Sequence, residues 1–306
     1  MSWREAMLGV VNLDKPVGPT SHDMVGLLRR LTGIRRIGHA GTLDPLASGV
    51  LPILVDGATR FSEELTGGSK RYEALIRLGQ RSATDDGEGP IVAGEGPLPG
   101  EEAAREALHG LVGTFEQLPP AFSARKAGGH VAHRSARSGT ALELPPRTVT
   151  VSAIDVLEIS HGESWLDVRI DLRCGPGTYV RSIARDLGER LGCGGYLAAL
   201  RRTEAAGLRV EDAVSPRDLE HLAAEGRIGE ALLAVGELLP LPRLALDPSE
   251  AVRFAHGVAQ RVAGAGGGDG AGRMAVYDGD RLLGVGTLRA GLLQPDKVIA
   301  SGAPDA

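Results

Sequence analysis

Aromatic side chains are scarce in this chain of 306 residues: Phe, Tyr and Trp together make up 3%. A core must then be built from aliphatic residues, and a 42% apolar share is enough for one. Scarcity also makes each tyrosine worth weighing, Tyr72 and Tyr179 in particular. Cysteine is nearly absent as well. Cys174 and Cys193 form neither metal-ligand spacing nor a disulfide framework, so no metal site is expected and the usage suits a reducing compartment. No apolar run approaches the ~20 residues of a membrane span. No basic stretch followed by an apolar one opens the chain. The expectation is a soluble, cytoplasmic protein with no membrane partner.

An excess of positive charge is also lacking, with a formal net charge of −5. That total hides segregation. Between Ala121 and Arg137 stand three Arg, one Lys, His130 and His133, without an acid. Between Arg173 and Arg202, six arginines face two acids, whereas Thr203–His256 carries ten acids against five arginines. Basic stretches set apart from acidic ones suit a protein that holds a polyanion on one face; a mosaic of solvated surface charge is the plainer alternative.

Local patterns place the main elements. Thr20 precedes an apolar spacing at Val25, Leu28 and Leu31 that Gly33 ends, which predicts a capped helix. Val50–Val55 and Tyr72–Leu78 are strand-like, and Ser82–Gly100 is an acidic, Gly- and Pro-rich surface connection. A short helix over Glu101–Leu111 leads to the basic segment 119–147, which has little apolar periodicity and suits an arm that orders on a ligand. Strands are expected at Thr148–Ile159 and Trp165–Leu172. Ile183, Leu187 and Leu191 then mark an amphipathic helix whose other face carries Arg181 and Arg185, both able to point toward the helix start. Residues 205–237 read as a helical connector, and Asp278-Gly279 as a hairpin turn in a small β-rich tail.

Residues 38–52, GHAGTLDPLASGVLP, hold three glycines, two prolines and one isolated acid, Asp44. They read as loop more than helix or strand. Pro45 keeps Asp44 out of the helical region, and the glycines allow positive φ and close approach to the main chain. Two readings stay open on these residues alone: a side chain capping its own turn, or a carboxylate presented for chemistry.

The order of motifs resembles one family. NLDKPVGPTSHDMV (12–25), RRIGHAGTLDPLASGVLPI (35–53), KRYEALIRLGQ (70–80), TDDGEG (84–89), PPAFSARKAGG (119–129), PPRTVTV (145–151), GTYVRSIARDLGERLG (177–192) and LRRT (200–203) are similar, in order, to those of bacterial tRNA pseudouridine-55 synthases, the TruB family. The resemblance covers about the first two hundred residues and is weaker beyond them. It implies an α+β fold: a catalytic domain over 1–237 with a mixed, largely antiparallel central sheet flanked by helices and loops, the arm 119–147, and a small C-terminal β-rich, PUA-like domain over 238–306.

The resemblance further implies isomerisation of uridine to pseudouridine in the T loop, with the base flipped out of the RNA and no cofactor. Asp44 is then the catalytic aspartate, paired with Arg181. Tyr72 stacks on the base and is a candidate to help remove the C5 proton, Tyr179 and Leu200 line the uracil pocket, and His39 contacts nucleotides beside it. Arg125, Lys126 and Arg202 are expected on the RNA. The expected partner is the tRNA T arm, with no protein partner required and a monomer as the working state. A tRNA-binding folding helper with secondary catalysis is the alternative function. A guide-RNA-dependent relative is a third, which the basic arm disfavours. The chain departs from the family pattern at Phe122, Arg125, His133, Cys174 and Pro176, in the arm and beside the pocket.

Overall fold

Apolar alternation sorts the chain into two main sheets in a computed structural model that describes residues 8–120, 126–127, 130–131, 145–262 and 272–299. The chain enters through β1 (Gly9–Lys15), α1 (Ser21–Thr32), β2 (Ile37–His39) and β3 (Ala47–Val55). Thr20 caps α1 in a reciprocal box with Asp23, and Gly33 ends it at φ 71°. A short α2 (Ser62–Thr66) leads to β4 (Lys70–Leu78), the small hairpin β5 (Gln80–Ser82) and β6 (Ile91–Ala93), α3 (Glu101–His109) and β7 (Gly113–Gln117). Of the expected arm, the backbone ladder β8 (Lys126–Ala127) with β9 (His130–Val131) is described. Arg125 lies outside the described residues, as does the Lys126 side chain.

The large sheet is completed by β10 (Arg147–His161), β11 (Leu166–Cys174), β12 (Gly195–Ala205), β13 (Leu208–Arg209) and β14 (Leu232–Leu233), with α4 (Val180–Arg190) packed on β12 and β4. Its strand path is β14-β1-β3-β12-β4-β11-β10-β7. Every ladder in it is antiparallel except β12 on β3, so the expected mixed, largely antiparallel sheet is observed. Alternation along β4 buries Tyr72, Ala74, Ile76 and Leu78 and turns Glu73 outward. Sliding β4 by one residue would exchange those sets, which fixes the register on which the site depends. That register sets Arg202 of β12 opposite both Gly49 and Tyr72.

Three sequence expectations are corrected. Residues 38–52 are loop only between two strands, β2 and β3, because pairing with β12 carries the strand of Val50–Val55 back to Ala47. Residues 205–237 are a patchwork holding α5 (Pro216–Ala224), α6 (Val235–Leu238) and two strands, of which β14 pairs with β1. Their apolar residues serve a sheet edge as well as helix faces. Ser82–Gly100 is not wholly superficial either, since Asp86 is 2% exposed.

The C-terminal sheet, β15 (Arg243–Ala245), β16 (Gln260–Arg261), β17 (Gly272–Asp278), β18 (Arg281–Arg289) and β19 (Leu292–Val298), is covered by α7 (Pro248–Ala255). The Asp278-Gly279 turn joins β17 to β18 as expected. This sheet is not a loose appendix: Val50, Leu54 and Phe61 share one apolar cluster with Val235, Tyr277 and Val285. A polar grip adds direction to that contact. Glu64 of α2, its side chain 2% exposed, receives Arg273 from β17 and Lys297 from β19.

Replacing Glu64 by Gln should lower stability by about 2 kcal/mol, less than for a wholly buried pair because Arg273 is half exposed. Urea unfolding of the full chain measures it, and an unchanged midpoint would show that the apolar cluster alone joins the two sheets.

Candidate active site

The loop 40–46 between β2 and β3 is held by groups from distant parts of the chain. Ser21 Oγ of α1 accepts from Leu43 N at 2.8 Å and donates to Leu43 O at 3.0 Å. Gly18 N donates to Pro45 O at 2.8 Å, and Ala40 N to Pro52 O at 2.9 Å. Gly41 (φ 99°) supplies a positive-φ turn within it, and Gly49 (φ 101°) another in β3 just beyond it. The loop is therefore rigidly placed, and Asp44 is the charged side chain it brings to the cleft.

Arg181 decides between the two readings of that carboxylate. Its Nε lies 3.0 Å from Asp44 Oδ2, so Asp44 is paired across the sheet instead of capping its own turn. Arg181 sits in the first turn of α4 with its side chain 6% exposed, while Asp44 is 37% exposed and open to the cleft. Gln117 fixes the helix start by donating to Tyr179 O at 3.1 Å and accepting from Tyr179 N at 2.9 Å. Ser182 Oγ ties the same turn to Leu118 O. Arg185, expected to share the direction of Arg181, turns instead to Asp85 and Asp186.

Asp86 is the residue that sequence reasoning missed. Its carboxylate, 3% exposed, lies 3.5 Å from Arg181 Nη1, and Arg181 Nη1 also donates to Thr84 O at 3.1 Å. Thr84 Oγ1 and Glu88 N donate to Asp86 in turn. One guanidinium thus bridges a buried carboxylate behind it and an open one in front. The signal was present in TDDGEG, where an acid pair sits in a tight turn; Asp85 at φ 61° marks that turn.

A cavity of about 330 Å³ opens on Asp44. Tyr72, Tyr179, Arg181, Leu200 and Arg202 line it, together with Lys70 and Thr66, which the sequence did not single out. Asp44 is the one carboxylate among its described lining residues. The size suits a single nucleoside-sized ring system, and the walls pair apolar faces with a few convergent polar groups. Tyr72 is 6% exposed, and burial pushes its phenol above the ordinary value, with Arg202 opposing the shift. Burial likewise lowers the ammonium of Lys70, which donates to Thr66 O and Gly68 O. Lys15 is fully buried beneath the site; burial lowers its ammonium, and the nearby charge of Asp44 opposes that most.

His39 lines a depression beside the main cavity with Ser62, Glu63 and Pro176; the two share Thr66. Arg202, expected on the RNA, is 1% exposed with its donors turned inward to main-chain carbonyls, which is at odds with a contact on the protein surface.

With this geometry in place, comparison with known proteins is direct. The N-terminal domain model of TruB family pseudouridylate synthases matches residues 29–180. Two C-terminal models, for tRNA pseudouridylate synthase B and for pseudouridine synthase II TruB, match 181–252 and 242–299. A Burkholderia pseudomallei (strain 668) protein named tRNA pseudouridine synthase B is 40% identical, covering 98% of this chain and 99% of its own. A protein of the same name from Mycobacterium sp. (strain KMS) is 43% identical over 90% of each. The chain belongs to the TruB family of pseudouridine synthases. Among solved structures, the archaeal box H/ACA sRNP Nop10-Cbf5 complex matches with a TM-score of 0.73 and 27% identity, over 96% of this chain and 87% of that one.

Burial, Arg202 and His22 together hold the His39 imidazole below its ordinary value of 6.5. Above that pH both folded and unfolded states are neutral. As pH falls through it the unfolded chain takes a proton that the folded chain refuses, so stability drops. The urea midpoint should therefore fall more between pH 7 and pH 5 in the wild type than in His39→Gln; equal falls would show that His39 titrates alike in both states.

Proposed function

We propose that this chain isomerises uridine to pseudouridine at position 55 in the T loop of tRNA, drawing the flipped base into the Asp44 cavity. The observation that carries the reading is the Arg181-paired carboxylate of Asp44 facing a ring-sized cavity walled by Tyr72, Tyr179 and Leu200. The family and the names of its relatives support it.

The reaction breaks the bond from N1 to the ribose C1′ and joins C1′ to C5. N1 takes up a proton and C5 loses one, so atoms and electrons balance without an external oxidant or group donor. Asp44 is the group placed to act on the uridine, with Arg181, its Nε 3.0 Å from the carboxylate, as the ion-pair partner that orients it. The freed uracil has to turn before it reattaches, which calls for a close cavity poor in water. Tyr72 offers a ring face for stacking, and Tyr179 and Leu200 close the apolar side. His39, in the adjoining depression, meets a nucleotide next to the flipped one.

A base stacked inside a folded T loop has to be extruded before this cavity can receive it. The basic arm, including Arg125 and Lys126, supplies phosphate contacts that hold the RNA while that happens. The C-terminal PUA-like sheet extends the same RNA-facing surface. The protein acts as a monomer on tRNA alone.

Incubation with tRNA transcript tritiated at uridine C5 tests the reaction. Wild type should release tritium, and a transcript with cytidine in place of uridine 55 should release none from that position. Asp44→Asn should lose on the order of 10⁴-fold in rate while still binding tRNA, as expected for a group on which the chemical step depends. No release by the wild type would overturn the enzymatic reading and leave a tRNA-binding helper.

Charge removal at Arg125 and Lys126 should weaken binding and lower the slope of log affinity against log salt by about 1–2. An unchanged slope would remove the arm from the RNA interface.

A further inference from the structure

Arg202 is among the largest side chains in the protein to be fully buried, and it is a permanent charge. Among the described residues no carboxylate forms an ion pair with it. Its donors go to main-chain carbonyls: Nε to Val50 O at 2.7 Å, Nη2 to Gly41 O at 3.0 Å and Nη1 to Thr42 O at 3.4 Å. These carbonyls stand on either side of Asp44, at the start of its loop and where β3 leaves it.

Two further features join Arg202 to the same site. Arg202 and Tyr72 are cross-strand partners on β12 and β4, and both side chains line the Asp44 cavity. On its other side, β3 presses Gly49 against the Arg202 backbone. A Cβ at Gly49 would lie 2.1 Å from Arg202 O, so this approach requires glycine. Burying a guanidinium is costly unless its donors are met, and a planar fork can span several carbonyls that a single ammonium cannot. An arginine placed for RNA phosphate would keep those donors at the surface.

We propose that Arg202 is a positioning residue for the uridine isomerisation: it straps the Asp44 loop to β3 while opposite Tyr72 in the sheet, setting the carboxylate relative to the phenol. Its kinetic consequence rests on the reaction proposed above, whereas the strap itself is a property of the fold. Tyr72 comes from β4 and Asp44 from the loop 40–46, and Arg202 is bonded to that loop while standing opposite Tyr72 in the sheet. Loss of the strap leaves tRNA binding in place and misaligns the reacting groups.

The test uses full-length Arg202→Met and Arg202→Lys. Tritium release should fall about 10²-fold in kcat for Met and about 10-fold for Lys, with KM and tRNA affinity within about 2-fold of wild type, the pattern of misplacement without lost binding. The salt slope of binding should not change. Hydrogen exchange over residues 40–50 should quicken in both variants while the C-terminal sheet exchanges as in wild type. A folded Arg202→Met variant with wild-type kcat and wild-type exchange overturns the proposal. So does weakened binding with a shallower salt slope, which would return Arg202 to the RNA. If Arg202→Met fails to fold, Arg202→Lys, which keeps a cation in the same space, decides by the same readouts. If the wild type releases no tritium, the reaction reading fails, and the exchange measurement still upholds or overturns the strap.

Discussion

One guanidinium shared by two carboxylates governs the arrangement of this protein. Arg181 is buried between Asp86 behind it and Asp44 before it. Charges taken out of water are tolerated only when their partners are well placed, so the three segments that bring them together have to meet closely. Those segments are the start of α4, the turn at 84–88 and the loop 40–46. Each is pinned independently: α4 by Gln117, the turn by Thr84 and Glu88, the loop by Ser21 and Arg202. The cavity opens between the loop and the start of α4, with the turn behind Arg181.

The electrostatics of the site follow from the same packing. One open carboxylate is surrounded by Arg181, Lys15 and Arg202, all three buried. Lys15 and Arg202 direct their donors to main-chain oxygens instead of carboxylates. Their hydrogen bonds shape loops, and their charges act on the cavity through a low-dielectric interior. The C-terminal sheet contributes from behind. It grips α2 through Glu64, and α2 carries Thr66 to the cavity wall. A part of the molecule remote in sequence is thus continuous with the site.

Much of this was legible before any coordinates. The capped helix at Ser21, the alternation of β4, the amphipathic α4 and the Asp278-Gly279 hairpin each rest on local rules that the tertiary structure did not override. The order of motifs was specific enough to indicate the family. Other elements resisted for identifiable reasons. β12 lies at the centre of the sheet, yet two register shifts break its alternation, so GYLAALRRTEA shows no clean period of two. Residues 205–237 mix helix faces with strand edges within a few positions. Asp86 hid in an acidic, glycine-rich stretch whose composition is that of a surface loop.

Sequence by itself determined the elements with a clean period, the family and the candidates Asp44, Tyr72, Tyr179, Arg181 and Leu200, because periodicity, turn chemistry and motif order are local properties of the chain. Only the tertiary structure decided what each charge is for. It joined Asp86 to the expected pair of Asp44 and Arg181, sent Arg185 away from the cavity, and turned Arg202 inward beneath the loop. The physical reason is that an arginine's role depends on which oxygens surround it and how much water is excluded. Those oxygens belong to strands and loops that are far apart along the chain and adjacent only in the fold.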